Sequence, residues 1–520
     1  MDGVPLIALV LGSLALTALC RRFKMSPTLV LVLAGIGVSF IPGVPDFRID
    51  PTVVLLLVLT PLLYSAALDS SYLGFRANIR PIGLLAVGLV IFSTAAIGLA
   101  AWWLIPGLPL PAALVLGAVV APPDAVAAIA VGRKLGLPRR VMTVLAGESL
   151  VNDATALTLF RVALAAAAGA SISLLSGVAM FVFAAVGGVL IALAVAWVVH
   201  WIRVRLNDPP IESALGLVVP FAVYLIAEAV HASGLLAVVA AGLYLGYRAP
   251  ETGFATRLQD DAVWRASDTV LESVVFALIG LQLTSVVRDV GAVGPLVLTG
   301  LGLTLVTVLA RVVWVYPATY LPRLIRAVRR RDPFPSWRTP AVISWAGMRG
   351  VVSLAAAFAI TPGVPYRDTL VFLAFFITVG TLLLHGLTLP WLIRTLGVRG
   401  GESQADALAE AAAQHAAGRA AVARLDELAE EVNGQVAHSV QKLRYMAQMR
   451  TNTSWERLGR PAEEAGESPS AAYRRLRREM VAAERETFVQ HRDDGRIDDE
   501  VLRRVLRELD LEEAILSRDD

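Results

Sequence analysis

A chain of 520 residues that is 56% hydrophobic and only 17% charged, with a mean hydropathy of +0.65, is too apolar to fold as one soluble globule. Its formal net charge of +3 hides a division, because residues 1–398 carry 27 Lys and Arg against 18 Asp and Glu while residues 399–520 carry 19 against 25. Cys20 is the single cysteine, which excludes an intrachain disulfide and a cysteine-based metal cluster.

The first apolar segment, about 4–20, is followed rather than preceded by basic residues (Arg21, Arg22, Lys24), the order of a retained first helix and not of a cleaved signal. Further segments run at about 26–42, 50–68, 81–105, 109–132, 141–168, 171–200, 211–231, 233–247, 268–289, 293–320, 339–360 and 368–394. Thirteen membrane-spanning helices are therefore expected, with 233–247 the shortest. The loops between them alternate in charge. One set holds twenty Lys and Arg, from Arg21 to the six arginines between 323 and 338, and the other holds Arg48, Arg288 and Arg367. By the bias of basic residues toward the cytoplasm, the N-terminus lies outside and the C-terminal tail inside the cell (inner) membrane. The expected domains are a transmembrane domain, 1–398, and a cytoplasmic helical tail, 399–520. In the tail, helices are expected at 404–431, 471–488 and 499–516, with a linker at 460–470 marked by Pro461, Gly466 and Pro469. It reads as a small module with solvated charged faces; a regulatory or dimer-stabilising role is the sharper alternative.

Ionisable groups deep in a bilayer are costly, at ~2.5 kcal/mol or more each, so each needs a reason. The deep acids are Asp124, Glu148, Asp153 and Glu228; the bases outside the loops are Arg161, Arg311, Arg349 and Arg394. In the sixth span, Gly147-Glu148-Ser149-Leu150-Val151-Asn152-Asp153-Ala154-Thr155-Ala156 places Ser149, Asn152 and Asp153 on one helical face. A hydroxyl, an amide and a carboxylate form the oxygen-rich set that a hard monovalent cation prefers. Glu148 lies to one side of that face. In the fifth span, Pro122 and Pro123 remove two consecutive amide donors, so the helix should break just before Asp124. Such breaks persist at membrane depth only around a protein-lined cavity. In the twelfth span, Gly347 and Gly350 flank Arg349 and mark a second interruption. Arg349 needs a buried acid, and Glu148 is the spare candidate. Glu228, Arg311 and His385 are expected to be structural or hydrogen-bonding. Breaks in the fifth and the penultimate spans suit an inverted repeat.

No phosphate-binding GxxxxGK[ST] loop and no HExxH or DDxxD motif occurs in the sequence. The chain is thus read as neither a nucleotide-driven pump nor an enzyme. No nucleic-acid partner and no cofactor beyond transported ions is expected; the partners are monovalent cations, protons and the lipid bilayer. A channel would require a continuous pore, which isolated broken helices fit less well than an occluded midplane site.

With GESLVNDATA, the Pro-Asp break, the 344–353 motif, His231-Ala232-Ser233-Gly234-Leu235-Leu236-Ala237-Val238 and Gly386-Leu387-Thr388-Leu389-Pro390, the sequence resembles the monovalent cation/proton antiporter superfamily. The likeness is to its electroneutral sodium/proton exchanger branch, over about residues 5–395, and the 473–479 stretch of the tail also resembles bacterial members. The resemblance implies an all-α, inverted-repeat antiporter fold with crossing broken helices, and a homodimer in which a six-helix core rocks against a dimer domain. It implies that Asp153 binds cation and proton in competition. It also implies that Asn152 marks one-for-one electroneutral exchange, that Ser149 and Asp124 join the site, and that Glu148 and Arg349 form a structural ion pair. The implied activity is exchange of Na⁺, Li⁺ or K⁺ for H⁺, serving pH homeostasis. A potassium/proton or electrogenic member of the same superfamily is the nearest alternative and a cation channel a more distant one. The sequence departs from the family at Pro123, where many members have threonine, and at His385, where glutamine is common; His385 is thereby a candidate pH-sensitive group.

Overall fold

The computed structural model describes residues 3–45, 51–124, 126–169, 174–206, 208–288, 290, 293–400, 402–430, 437–456, 469–494 and 496–517. Among these, every regular element is helical. Long apolar runs demand this, since hydrocarbon offers no partner for a backbone N–H or C=O and each segment must satisfy its own. The chain divides into two compact units, Met1–Gly400 and Gly401–Asp520.

The first unit is built from α1 (Gly3–Arg22), α2 (Pro27–Ser39), α3 (Val54–Leu68), α4 (Ile79–Leu104), α5 (Leu110–Val120), α6 (Val126–Leu135), α7 (Arg139–Ala167) and α8 (Leu174–Leu206). It continues with α9 (Pro209–Ala229), α10 (Gly234–Arg248), α11 (Phe254–Leu281), α12 (Val293–Tyr320), α13 (Arg338–Trp345), α14 (Val351–Phe358) and α15 (Arg367–Leu396). Eight described helices are long and apolar enough to cross a membrane. Five of the thirteen expected segments fall short of that length: α2, α3 and α10 are brief, and the fifth and twelfth are each split into a pair, α5–α6 and α13–α14. The tenth segment errs the other way. It was expected from 268, but α11 begins at Phe254, because its charged first half reads as a loop by hydropathy.

Buried side chains form two principal clusters. One draws on α2, α4–α7 and α11–α15; the other is centred on α3 and α8–α10. Leu150 of α7 and Val352 of α14 belong to the second cluster although their helices pack mainly in the first. The two clusters therefore meet beside the Gly147–Ala156 and Gly347–Ser353 motifs. Without a strong hydrophobic drive in lipid, helices associate by close backbone approach at small residues. Between α2 and α11 a Cβ on Gly280 would lie 2.2 Å from the Val32 carbonyl oxygen, so the backbones touch there. The first turns of α4 include a π segment, and the Trp314 indole of α12 donates to the Leu84 carbonyl at 2.9 Å.

The second unit has four helices: Glu402–Glu430, Ala437–Glu456, Pro469–Asp493 and Asp499–Ser517. The last two are clipped together by Arg477 on Glu512 at 2.6 Å and Arg485 on Glu513 at 2.6 Å. Ala437–Glu456 is a helix the sequence did not announce, and most of the expected linker falls outside the described residues.

Candidate ion-binding site between two broken helices

The two interruptions lie against each other. The Asp124 amide, just after α5, donates to the Met348 carbonyl at 2.6 Å. A Cβ on Gly350 would lie 1.9 Å from Asp124 Oδ2, so the second break presses directly on the carboxylate of the first. Only glycine fits there. Gly350→Ala is expected to force the crossing apart, at ~1–3 kcal/mol of stability for an overpacked site, and to lower ion flux. A thermal melt beside a flux assay checks this, and a variant that melts and transports like the parent would contradict the contact.

Each broken helix leaves free carbonyls at one end and free amides at the other, with partial charges to match. Arg349, only 1% exposed, answers the carbonyl ends of both breaks: its Nε donates to the Val120 carbonyl at 3.0 Å and its Nη1 to the Gly347 carbonyl. Its own amide donates to Thr381 Oγ1 at 3.3 Å. Asp124 answers an amide end, its Oδ1 accepting from Val126 N at the start of α6 at 2.9 Å. Thus the cation sits at the C-terminal ends and the anion at an N-terminal end.

The expected Glu148–Arg349 ion pair is not what forms. Glu148 is held by Arg311 of α12, through Nη1 to Oε1 at 2.5 Å and Nη2 to Oε2 at 2.8 Å, with both residues 1% exposed. Arg311 also donates to the Ile343 carbonyl at 3.1 and 3.2 Å, near the end of α13. Gly347 makes room for this, since a Cβ there would lie 2.4 Å from Arg311 Cδ. Arg311, expected to be structural or hydrogen-bonding, is the partner, and Arg349 is occupied by backbone carbonyls. Glu228 likewise has a definite partner. Arg161 donates to its two oxygens at 3.0 and 2.8 Å, joining α7 to α9, and the Gly234 amide adds a third bond at 3.2 Å.

Beside the crossing lies a cavity of about 310 Å³ lined by Asp124, Asp153, Ser149, Pro122, Pro123 and Gly350. Asn152 is fully buried behind it, its Nδ2 donating to the Pro123 carbonyl at 2.6 Å while its Oδ1 has no hydrogen-bond partner. The Ser353 hydroxyl, also on the cavity wall, is likewise buried without one. Glu148, Arg349 and Gly347 do not line it. Nor does His385, which is buried in α15 edge-on to Trp345 with ring centres 5.1 Å apart. Among the described residues no three His, Cys, Asp or Glu side chains are grouped as a metal centre. The site offers two carboxylates and neutral oxygens, a set suited to holding a monovalent ion and letting it go.

The sequence reading missed Glu272. It lines the same cavity, along with Asp69 and Ser70 just after α3 and Arg133 in the last turn of α6, so the cavity extends from the site toward the end of the molecule that carries the arginine-rich loops. Glu272 stands near the start of the expected tenth segment; on a helix that begins at Phe254 it lies well inside the element and partly buried. Near it, Asp268 accepts from Ser65 Oγ at 2.6 Å, tying α11 to α3. The signal available was the i, i+4 spacing of Asp268 and Glu272 at the edge of an apolar run.

The model of the family "Sodium/hydrogen exchanger, transmembrane" matches residues 6–395. An uncharacterised Na⁺/H⁺ exchanger of Mycobacterium tuberculosis is 33% identical over 99% of this chain and 96% of its own length. A Na⁺/H⁺ antiporter of Aphanothece halophytica is 30% identical over 80% of this chain and 78% of its own. The solved structure of a sodium proton antiporter from Methanocaldococcus jannaschii superposes with a TM-score of 0.59 at 18% identity, covering 76% of this chain and 98% of that one, which establishes the shared fold. The family match spans both broken helices and the whole cavity lining. With it, this multi-pass, all-helical chain belongs to the sodium/hydrogen exchanger family of the monovalent cation/proton antiporters, and is a transporter rather than an enzyme.

Proposed function

We propose that the protein exchanges Na⁺ for H⁺ across the cell membrane by alternating access, with cation and proton competing for Asp153. The observation that carries this is the shared cavity, in which the Asp153 carboxylate stands beside Asp124 and has no ion pair among the described residues. Asp124 already has an amide and a helix N-terminus to offset its charge. Asp153 has neither. A buried carboxylate without a partner is stable only with a counter-charge, and a proton or a cation can each supply it, one excluding the other. Ser149, Asp124 and the free Asn152 Oδ1 are the neighbouring oxygens we assign to the cation, with no resident cofactor. If Asp153 carries one proton one way and one monovalent cation the other, the exchange is one-for-one and electroneutral.

The same reading orients the molecule. The arginine-rich loops face the cytoplasm, the N-terminus lies outside, and the cavity reaching Asp69 and Arg133 is the inward-open approach. The Arg161–Glu228 pair then joins the two packed groups on the closed, outer side. A homodimer and a role in pH homeostasis accompany this reading. Broader cation choice has one observation in its favour: a relative from Bacillus subtilis, 28% identical over 75% of this chain, is a sodium, potassium, lithium and rubidium/H⁺ antiporter. Proton movement in proteoliposomes after adding Na⁺, Li⁺ or K⁺, with and without a potassium-permeant ionophore, tests the proposal. Saturable cation-driven proton flux that a clamped membrane potential leaves unchanged is the expected result. A conductive, uncoupled flux would make the protein a channel, and a response to potential would remove the one-for-one stoichiometry.

A further inference from the structure

Away from the ion cavity, three arginines from separate parts of the fold converge on one carboxylate. Asp332, in the connection between α12 and α13, receives Arg80 of α4 at 2.5 Å, Arg140 of α7 at 2.7 Å and Arg323 at 2.8 Å. Burial pulls the Asp332 carboxyl up, but hydrogen bonds and charge from Arg140 and Arg323 outweigh it and hold the group at about 2. One full negative charge is therefore present at any ordinary pH, against three guanidiniums. The surplus is positive, and it is not all turned to solvent: Arg323 is 5% exposed, and its Nε is buried with no hydrogen-bond partner.

The same three arginines rim a pocket of about 70 Å³ whose walls are apolar, among them Leu84, Val144 and Ile343. The level of this pocket relative to a bilayer can be read from its surroundings. The connection carries exposed apolar side chains, Leu321 (61%), Leu324 (66%), Ile325 (61%) and Trp337 (58%), around the short helix Arg326–Arg331 with its exposed Arg326, Arg329 and Arg330. A basic helix flanked by exposed Leu, Ile and Trp is the composition of a segment lying in the headgroup layer. The pocket thus sits where phosphates of lipid headgroups are concentrated, and a planar guanidinium fork is the side chain best suited to a phosphate.

We propose that Arg80, Arg140 and Arg323 form a binding site for the phosphate headgroup of an anionic phospholipid, with Asp332 as a built-in competitor that keeps the arginines aligned. The lipid, rather than free phosphate, is the occupant because the pocket has apolar walls and the surrounding segment is anchored at the interface. The site is separate from the exchange reaction proposed above, and its test reads binding, so the two stand or fall independently.

The full chain, purified in a neutral detergent, is melted with added phosphatidylglycerol, phosphatidylcholine or inorganic phosphate, and the lipid that co-purifies is identified by mass spectrometry. Phosphatidylglycerol should raise the midpoint and phosphatidylcholine should not. Each arginine near a membrane surface strengthens anionic-lipid binding severalfold, so Arg80→Gln with Arg140→Gln should weaken it by roughly tenfold or more. Asp332→Asn should have the opposite sign, retaining more anionic lipid although it removes three ion pairs. An equal response of parent and double variant, an equal response to both lipids, or the full effect from inorganic phosphate would overturn the lipid site. Should the double variant fail to fold, Asp332→Asn decides: unchanged or reduced lipid retention refutes the proposal, since a purely structural carboxylate predicts only lower stability.

Discussion

Asp153→Asn should give a protein that folds, elutes as the parent does and melts no lower, yet shows no cation-driven proton flux above empty liposomes. The two halves of this result have one cause. The side chain is 5% exposed and has no ion pair among the described residues, so its charge is a burden on the fold that a proton or a cation must offset. Asparagine keeps the shape and removes the charge. Relief of an uncompensated buried group is worth on the order of 1–3 kcal/mol, so the melting midpoint should hold or rise. Transport has no such latitude: an amide neither takes up nor releases a proton at working pH and offers a cation a neutral dipole in place of a charge. Retained exchange by the variant would move the shared site elsewhere, and Asp124 on the same cavity would be the next carboxylate to test.

How much of this was legible in the sequence depends on whether a feature is local. The breaks are local. Pro122 and Pro123 remove donors wherever they stand, and Gly347 and Gly350 flank a buried arginine, so both interruptions and the cavity beside them follow from the chain itself. The face shared by Ser149, Asn152 and Asp153 is also local, although the structure divides its work: Ser149 and Asp153 reach the cavity while Asn152 braces the Pro123 carbonyl behind it. The pairing of charges is not local. Two arginines and one glutamate were all known to be deep, and nothing in their positions says which arginine is free. The broken helices decide it, because their unsatisfied carbonyls claim Arg349 and leave Arg311 for Glu148. Glu272 was lost for a different reason: the start of a span was set by hydropathy, and an amphipathic first half conceals fourteen residues of helix between 254 and 268.

The Glu148–Arg311 pair carries the second large expectation. Breaking a fully buried ion pair by neutralising one partner typically costs ~3–5 kcal/mol, because the survivor keeps its desolvation penalty and loses its compensation. Against a total stability of ~5–15 kcal/mol for a folded domain, Glu148→Gln should strongly reduce the folded fraction, read as the monodisperse peak on size exclusion. Arg311→Gln should do so too, with the further loss of two donors to the Ile343 carbonyl. The double change Glu148→Gln with Arg311→Gln removes both charges at once and should recover more folded protein than Glu148→Gln alone. Recovery should stop short of the parent, since the end of α13 stays uncapped. The decisive comparison is Glu148→Gln with Arg349→Gln. Arg349 holds the carbonyls of Val120 and Gly347 across both breaks, so neutralising it should add damage rather than relieve it. If that second pair were the one to rescue folding, the ion pair would lie where the sequence alone first suggested, between Glu148 and Arg349. The arrangement instead predicts two separate duties for two buried arginines, one locking α7 to α12 and the other holding the crossed helices open around Asp124.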